Sequence, residues 1–220
     1  MAARIEPPHP LLSPYLKAQL RGEREEALRL VLEDGLGRGL SIKELELDVL
    51  QAAQREVGRL WQKNQVSVAE EHLATSVTQL VMSHLYRHLP RERHNGKVAL
   101  VACVEGELHD MGGRFGADFL EMAGFEVRFL GANVPTQSLL AMVERDRPDV
   151  LGLSAAMSFH LPALRAAIDG VRALRGAEYP IIVGGHVLEW SPELSRELGV
   201  QVLGTCADRL VKGCREYLGC

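Results

Sequence analysis

The sequence predicts two domains: an all-α four-helix bundle, followed by an α/β domain with a parallel five-stranded sheet. Three observations support this. Up to residue 90, apolar residues recur at helical spacing. After residue 96, short apolar runs alternate with helical stretches. The stretch RHLPRERHNG between them is polar and contains proline and glycine, as linkers do. We therefore assign 1–90 to the bundle, 91–96 to a linker and 97–220 to the α/β domain.

Each helix of the bundle has its own sequence signal. Ser13-Pro14 predicts an N-cap at Ser13, with proline at the first position of the first helix. The second helix falls in GEREEALRLVLEDG and is followed by three closely spaced glycines. The third and fourth begin with capping boxes at Ser41 and Ser67, each with a glutamate three residues later, and the fourth continues to about Leu85.

Five apolar runs in the second half are typical of strands buried on both faces. They are KVALVACV, EVRFLG, DVLGLS, PIIVGG and VQVLG. In parallel sheets, ligands bind outside the carboxyl ends of the strands. The loops that follow these strands, where we expect the site, are 105–112, 131–135, 154–160, 184–191 and 204–206.

Composition excludes several classes of function. The 220 residues carry a formal net charge of −4, which argues against a nucleic-acid surface. The chain shows no long apolar run and no apolar signal at its start, so we expect a cytoplasmic protein with no membrane span. The four cysteines lack a paired short spacing and are interpreted as reduced thiols.

The loop after the first strand, EGELHDMGG, concentrates polar chemistry. It contains Glu107, His109 and Asp110, but its glycines do not fit a dinucleotide fingerprint, and a phosphate-binding P-loop is absent. A phospho-receiver is set aside, because the third strand ends in Ser154 where an acid is needed. A carboxylate beside an imidazole can orient it as a metal ligand. A surface histidine in an acidic loop remains the alternative.

Small residues follow two further strands. Ser154 and Ser158 come after the third, and Gly184-Gly185 ends the fourth. They predict either tight turns or a slot for a bulky ligand. Because Gly185 lies at a strand end, we expect it to accept a larger side chain without loss of the fold. His160 and His186 are interpreted as ordinary loop histidines.

These motifs together resemble the cobalamin-binding domain family. The family pattern Asp-x-His-x-x-Gly is present with glutamate for aspartate, the serine motif lacks its leucine, and the glycine pair is intact. The residues concerned are Glu107, Leu108, His109, Asp110, Met111, Gly112, Ser154, Gly184 and Gly185. The resemblance covers about 97–220 and implies a Rossmann-like (flavodoxin-like) sheet.

The resemblance also implies a binding mode. Cobalamin would bind base-off, with His109 on the lower face of cobalt and Glu107 or Asp110 on the other ring nitrogen. The nucleotide tail would enter the slot. The implied cofactor-binding residues there are Met111, Gly112, Ser154, Ser158, Gly184 and Gly185.

The bundle carries a second resemblance. Trp61, nine residues and then Glu71-His72 resemble the helical cap of light-responsive, MerR-like regulators that use cobalamin. This implies that Trp61 packs over the upper face of the corrin and senses a large upper ligand, with Glu71 and His72 close by. Those regulators often place a histidine directly after the tryptophan, where this chain has Gln62. The alternatives are core packing by Trp61, a favourable interaction of Glu71 with the helix dipole, and an ordinary capped surface position for His72.

We therefore expect a sensory binding protein without turnover, which holds adenosylcobalamin or another alkylcobalamin and responds to light. No DNA-binding segment is evident, so its output would pass through a regulatory protein partner or a homo-oligomer. Neither nucleic acid nor membrane is expected to bind. The alternative is a corrinoid methyl carrier of a methyltransferase system, with methylcobalamin as the loaded form. A regulator that senses the level of cofactor is a third possibility.

Overall fold

A computed structural model of the chain describes residues 8–189, 192–202 and 207–220. They form two compact units, divided between Pro90 and Arg91. The first is helical, and the second is a parallel sheet with helices, so the coarse fold prediction is confirmed. Among the described helices, none combines the length and apolar character needed to cross a membrane.

The first unit contains the four predicted helical segments, two of which include π-helical turns. The segments are α1 (Leu12–Leu20); α2 (Arg24–Arg29), continued by π-helical Leu30–Gly35 and 3-10 Leu36–Arg38; α3 (Ile42–Glu44), continued by π-helical Leu45–Gln51 and α4 (Ala52–Gln62); and α5 (Val68–Leu85), followed by 3-10 Tyr86–His88. Both predicted capping boxes form, at Ser41 and Ser67. The predicted N-cap at Ser13 was wrong, because α1 already begins at Leu12 and Ser13 lies inside the helix. The π-helical turns were not predicted, because apolar spacing barely distinguishes them from α-helix over one or two turns.

A buried polar chain links two helices of this unit. The Tyr15 hydroxyl lies 2.9 Å from the Thr78 hydroxyl, which donates to Oε1 of Gln19 at 2.8 Å. Tyr15 and Gln19 belong to α1 and Thr78 to α5, and all three side chains are buried. Burial raises the pKa of the Tyr15 phenol well above its usual value, so the group stays neutral.

The second unit alternates strands and helices. Its elements are β1 (Val98–Cys103), α6 (Met111–Met122), β2 (Glu126–Phe129), α7 (Thr136–Asp146), β3 (Val150–Ser154), α8 (Leu161–Arg175), β4 (Ile181–Gly184), α9 (His186–Glu189), α10 (Pro192–Leu198), β5 (Gln201–Val202) and α11 (Ala207–Leu218). All pairings are parallel, in the order β2-β1-β3-β4-β5. Only two residues form β5; the predicted run 200–204 continues into 203–204, which lie outside the described residues, as does the predicted loop 204–206.

Strand order determines where the ligand edge lies. The chain passes from β1 to β2 on one side and then returns to β3 on the other, so β1 and β3 form the switch point at which ligands bind in such sheets. The register pairs Cys103 with Ser154, and Ser154 with Gly184. The carboxyl ends of β1, β3 and β4 therefore lie side by side, and the loops that follow them meet at one edge.

Candidate functional site

Glu107 lies at the centre of this edge, and its carboxylate is fully buried. Its Oε1 accepts the backbone N–H of His109 at 2.9 Å and lies 2.5 Å from Nδ1 of the same residue. Its Oε2 accepts the backbone N–H groups of Ala156 (2.6 Å) and Met157 (3.3 Å), and lies 2.8 Å from Nδ1 of His160. One carboxylate thus ties the loop after β1 to the loop after β3.

These bonds determine the charge of Glu107. Burial by itself raises the pKa of a carboxyl group, but here the hydrogen bonds from the two imidazoles and the backbone outweigh burial. They hold the pKa of Glu107 well below its usual range. The group is therefore a buried anion, stabilised by donors on two loops.

His109 is the exposed end of this arrangement. Its side chain is 58% exposed, although the carboxylate that it contacts is buried. An Nδ1–H that donates to a carboxylate defines the neutral tautomer, in which Nε2 carries the lone pair. Glu107 is thus the partner that the structure shows for Nδ1. Asp110 occupies the N-cap position of α6, and Met111 and Gly112 open that helix. This is the geometry of an imidazole that is oriented to bind a metal.

His160 is not an ordinary loop histidine, and that interpretation was wrong. Its side chain is buried, and its Nδ1 lies against Glu107. The available sequence signal was its place in the loop after β3, but only the fold brings that loop against Glu107. His186, by contrast, is exposed at the start of α9.

Asn133 is a second residue that sequence reasoning missed. It lies in the loop after β2, with a positive φ of 50°. Its Oδ1 accepts the backbone N–H of Gly106 at 2.8 Å, and its own N–H donates to the carbonyl of Glu107 at 2.8 Å. Nearby, Glu105 accepts the N–H of Thr136 at 3.1 Å. These bonds connect the loop after β1 to the segment that follows β2.

The glycine that ends β4, Gly184, and the glycine that follows it, Gly185, have different roles. A Cβ at Gly185 would lie 2.0 Å from the carbonyl oxygen of Ala155, and φ is +116°. The expectation that a larger residue would leave the fold intact at Gly185 is therefore wrong, because two backbones touch there. A Cβ at Gly184 would meet nothing within 4 Å. Space for a ligand thus lies at Gly184.

The serines and the α6 glycines complete this edge. Ser154 is buried at the end of β3, and Ser158 is exposed at the start of a 3-10 turn. A Cβ at Gly113 would approach Phe129 to 3.2 Å and Ser154 Cβ to 3.6 Å, whereas one at Gly112 would have only the Ser154 hydroxyl at 4.0 Å. Gly113 therefore serves close packing of α6, and Gly112 leaves room near Ser154.

The other predicted residues lie in the helical unit. Trp61 is the penultimate residue of α4 and is 38% exposed, so it is not a core residue. Glu71 and His72 are in the first turns of α5, and Nδ1 of His72 lies 2.5 Å from Oε2 of Glu71. The hydroxyl of Thr75 donates to Oε1 of Glu71 at 2.9 Å. The structure thus pairs Glu71 with His72. The capping box of α5 is formed by Ser67 and Glu70, and the position of Glu71 in the first turn is also compatible with a simple interaction with the helix dipole.

The side chains at this edge suit a metal ion that a cofactor already coordinates and that needs one ligand from the protein. Among the residues that the structure describes, no group of three or more histidine, cysteine, aspartate or glutamate side chains could hold a metal ion. His109 supplies one oriented imidazole, and open space lies at Gly184 on the same edge of the sheet. One imidazole and open space fit a metal held in a macrocycle that carries a tail.

Comparisons with known proteins agree with this geometry. One family described as a B12 binding domain matches residues 97–211, and a second family of the same description matches residues 11–86. The HTH-type transcriptional repressor CarH of Myxococcus xanthus is 30% identical over 67% of this chain. The chain spans about half of that repressor's length, 48%.

Corrinoid proteins match over more of their own length. Dimethylamine corrinoid protein 1 of Methanosarcina acetivorans is 27% identical over 66% of this chain and 69% of its own. The dimethylamine corrinoid protein of Methanosarcina barkeri is 25% identical over 74% and 77%. The structure of the Methanosarcina barkeri monomethylamine corrinoid protein superimposes with a TM-score of 0.83 at 18% identity, covering 94% of this chain and 97% of that one.

Proposed function

Because the chain belongs to the B12-binding domain family and its cofactor is cobalamin, we propose that it is a corrinoid carrier that accepts and hands on a methyl group. The observation that carries the proposal is the extent of the match. Corrinoid proteins are covered over 69% and 77% of their length at 25–27% identity, whereas the repressor is covered over 48%. The proposal therefore includes a methyl donor, a methyl acceptor and partner proteins that work with this chain.

In this proposal, His109 is the lower axial ligand. Its Nε2 would bind cobalt, while Glu107 accepts the hydrogen bond from Nδ1–H, which sets the tautomer and raises the basicity of the ring. Cobalamin, when bound, supplies a cobalt centre that can take up and release a methyl group. The exposure of His109 supports this role, because a bound cofactor can reach only an imidazole that is accessible at the surface.

The slot takes the nucleotide tail. The buried hydroxyl of Ser154 and the gap at Gly184 supply its floor, and the backbone contact at Gly185 keeps β3 and β4 close beneath it. The remaining proposed contacts are made by Asp110, Met111, Gly112 and Ser158.

A light sensor is the second candidate function. Its support is the 30% identity to a repressor together with the half-exposed Trp61 and the Glu71–His72 pair. In this reading, the natural cofactor is adenosylcobalamin, Trp61 contacts its upper ligand, and photolysis alters association with a partner or with a second copy. Gln62 supplies no imidazole to replace the upper ligand.

One comparison separates the candidates. The protein is loaded in the dark with either methylcobalamin or adenosylcobalamin, and sedimentation velocity is measured before and after green light. A carrier keeps its association state in both forms and passes the methyl group of methylcobalamin to a thiol when a corrinoid-dependent methyltransferase is added. A light-dependent change in association with adenosylcobalamin alone, abolished in Trp61→Ala, would overturn the carrier proposal in favour of the sensor.

A further inference from the structure

Two apolar side chains at the ligand edge are strongly exposed. Leu108 is 71% exposed and Phe159 is 67% exposed, the highest fractions among the large apolar residues that the structure describes. Scattered exposed apolar residues are normal on protein surfaces. These two are different. Leu108 lies in the loop after β1, which contains Glu107, and Phe159 lies in the loop after β3, which is hydrogen-bonded to Glu107.

Their positions in the sequence and the fold are related. Leu108 lies between Glu107 and His109, and Phe159 directly precedes His160. The imidazoles next to them contact the two oxygens of the same carboxylate. The Phe159 ring also packs edge-on against the His160 ring, with centroids 4.3 Å apart and planes at 70°. Phe159 is therefore supported by a buried residue while most of its surface faces solvent.

The loops that present these side chains are held at several points. Glu107 accepts backbone N–H groups at 109, 156 and 157, and Asn133 bonds to the backbone of Gly106 and Glu107. An exposed apolar side chain on a loop held in this way costs little further conformational entropy when a ligand covers it. Such preorganisation favours a ligand of fixed shape over a partner that must adapt.

We propose that Leu108 and Phe159 form an apolar seat that the corrin macrocycle covers when cobalamin binds. A corrin is a broad ring with largely apolar faces, and its periphery carries methyl groups as well as amide side chains. A ring whose metal is bound by His109 extends over the groups next to that imidazole. The seat rests on the proposed assignment of His109 as axial ligand, and it is independent of whether the protein is a carrier or a sensor.

The direct test is hydroxyl-radical footprinting of the full chain in the dark, with and without hydroxocobalamin. We expect Leu108 and Phe159 to lose labelling when the cofactor binds, and Leu174 and Tyr217 to be labelled equally in both samples. The last two are exposed apolar residues on α8 and α11. Unchanged labelling of Leu108 and Phe159 in the loaded protein would overturn the seat.

Affinity supplies the second readout. The double variant Leu108→Ser/Phe159→Ala should raise the Kd for hydroxocobalamin about tenfold or more, because it removes apolar surface that the ligand covers. Leu174→Ser is the matched control, with no expected change. Both altered side chains are exposed, so the fold should persist, and a urea titration of the free protein checks this.

Two other results have distinct meanings. If the double variant binds cobalamin normally but loses a self-association that wild type shows in sedimentation, the surface is a protein interface and the seat is wrong. If His109→Ala keeps the cobalt spectrum of wild type, the axial assignment fails, and footprinting then shows separately whether the two apolar side chains contact the ring.

Discussion

Among the residues that the structure describes, the pairs Glu71–His72 and Glu107–His109 have the same short contact and very different surroundings. In both, a histidine Nδ1 lies 2.5 Å from a carboxylate oxygen. Glu107 is fully buried and takes four further hydrogen bonds from the backbone and from His160. Glu71 is partly exposed, and the side chain of His72 is 74% exposed on the surface of α5.

This difference shows that the surroundings, and not the contact distance, decide what such a pair can do. An exposed pair is screened by water and contributes little to stability. A buried carboxylate cannot exchange its protein donors for water. The donors therefore stay hydrogen-bonded to it, and their side chains are held in one orientation. Glu107 can therefore hold the His109 imidazole in one orientation by itself, whereas the Glu71–His72 pair would need a bound ligand to restrain it.

The largest expected effect is on stability, from removal of the buried carboxylate. Glu107→Ala leaves two imidazoles and three backbone N–H groups without their acceptor, and it should lower the free energy of unfolding by about 3–5 kcal/mol. Glu71→Ala is the matched control and should change it by less than about 0.5 kcal/mol. Urea denaturation of the cofactor-free proteins measures both. Similar losses in the two variants would contradict the contrast drawn between the pairs.

The next effect is on cobalt ligation. His109→Ala should abolish the spectrum of cobalamin with a histidine lower ligand, and it should weaken binding by more than the ~10–100-fold typical of losing an outer-shell partner. His72→Ala should retain that spectrum. Absorption and electron paramagnetic resonance spectra of the reduced, loaded proteins report the ligand. An unaltered spectrum in His109→Ala would place the axial ligand elsewhere.

Gly184 and Gly185 also differ in their surroundings, because a Cβ has space at Gly184 but not at Gly185. Gly184→Val should fold normally, because a Cβ there meets nothing, but its side chain should obstruct the nucleotide tail. We expect weaker binding of cobalamin and unchanged binding of cobinamide, which lacks the nucleotide. Gly185→Val should instead lose stability through its clash with Ala155. Equal loss for cobalamin and cobinamide in Gly184→Val would argue against a tail slot.

The smallest effect concerns the second imidazole on Glu107. His160→Leu removes one hydrogen bond from Oε2 while His109 keeps its own on Oε1. We expect cobalamin affinity to fall about tenfold, at the low end of the range for outer-shell partners. His88→Leu, an exposed histidine of the helical unit, is the control. If His160→Asn, which keeps a donor, restores affinity, His160 acts by positioning Glu107; no loss in His160→Leu would remove it from the site.

Much of the fold could be predicted because its signals are local. The capping boxes at Ser41 and Ser67 need only residues three apart, and both formed. Buried strands such as β1 are continuous apolar runs, which are visible without any partner. The π-helical turns and the clash at Gly185 were missed, because they depend on small backbone shifts and on a neighbouring strand.

Part of the site could also be predicted, because the signal for that part is local in sequence. Glu107 and His109 are two residues apart on one loop, so their pairing could be expected from the sequence. His160 and Asn133 are distant in sequence from Glu107, and nothing in their own neighbourhoods marks them. Their roles follow from the strand order, which brings the loops after β1, β2 and β3 to one edge.

The sequence by itself determined the division into a helical and an α/β unit, the parallel strands and the loop that carries His109. Each follows from the periodicity of apolar residues or from neighbours within a few positions. Only the tertiary structure decided that Glu107 is a buried anion shared by two imidazoles, and that Leu108 and Phe159 stay exposed beside them. Burial, hydrogen bonding across loops and exposure depend on residues far apart in the chain, and these become neighbours only when the sheet forms.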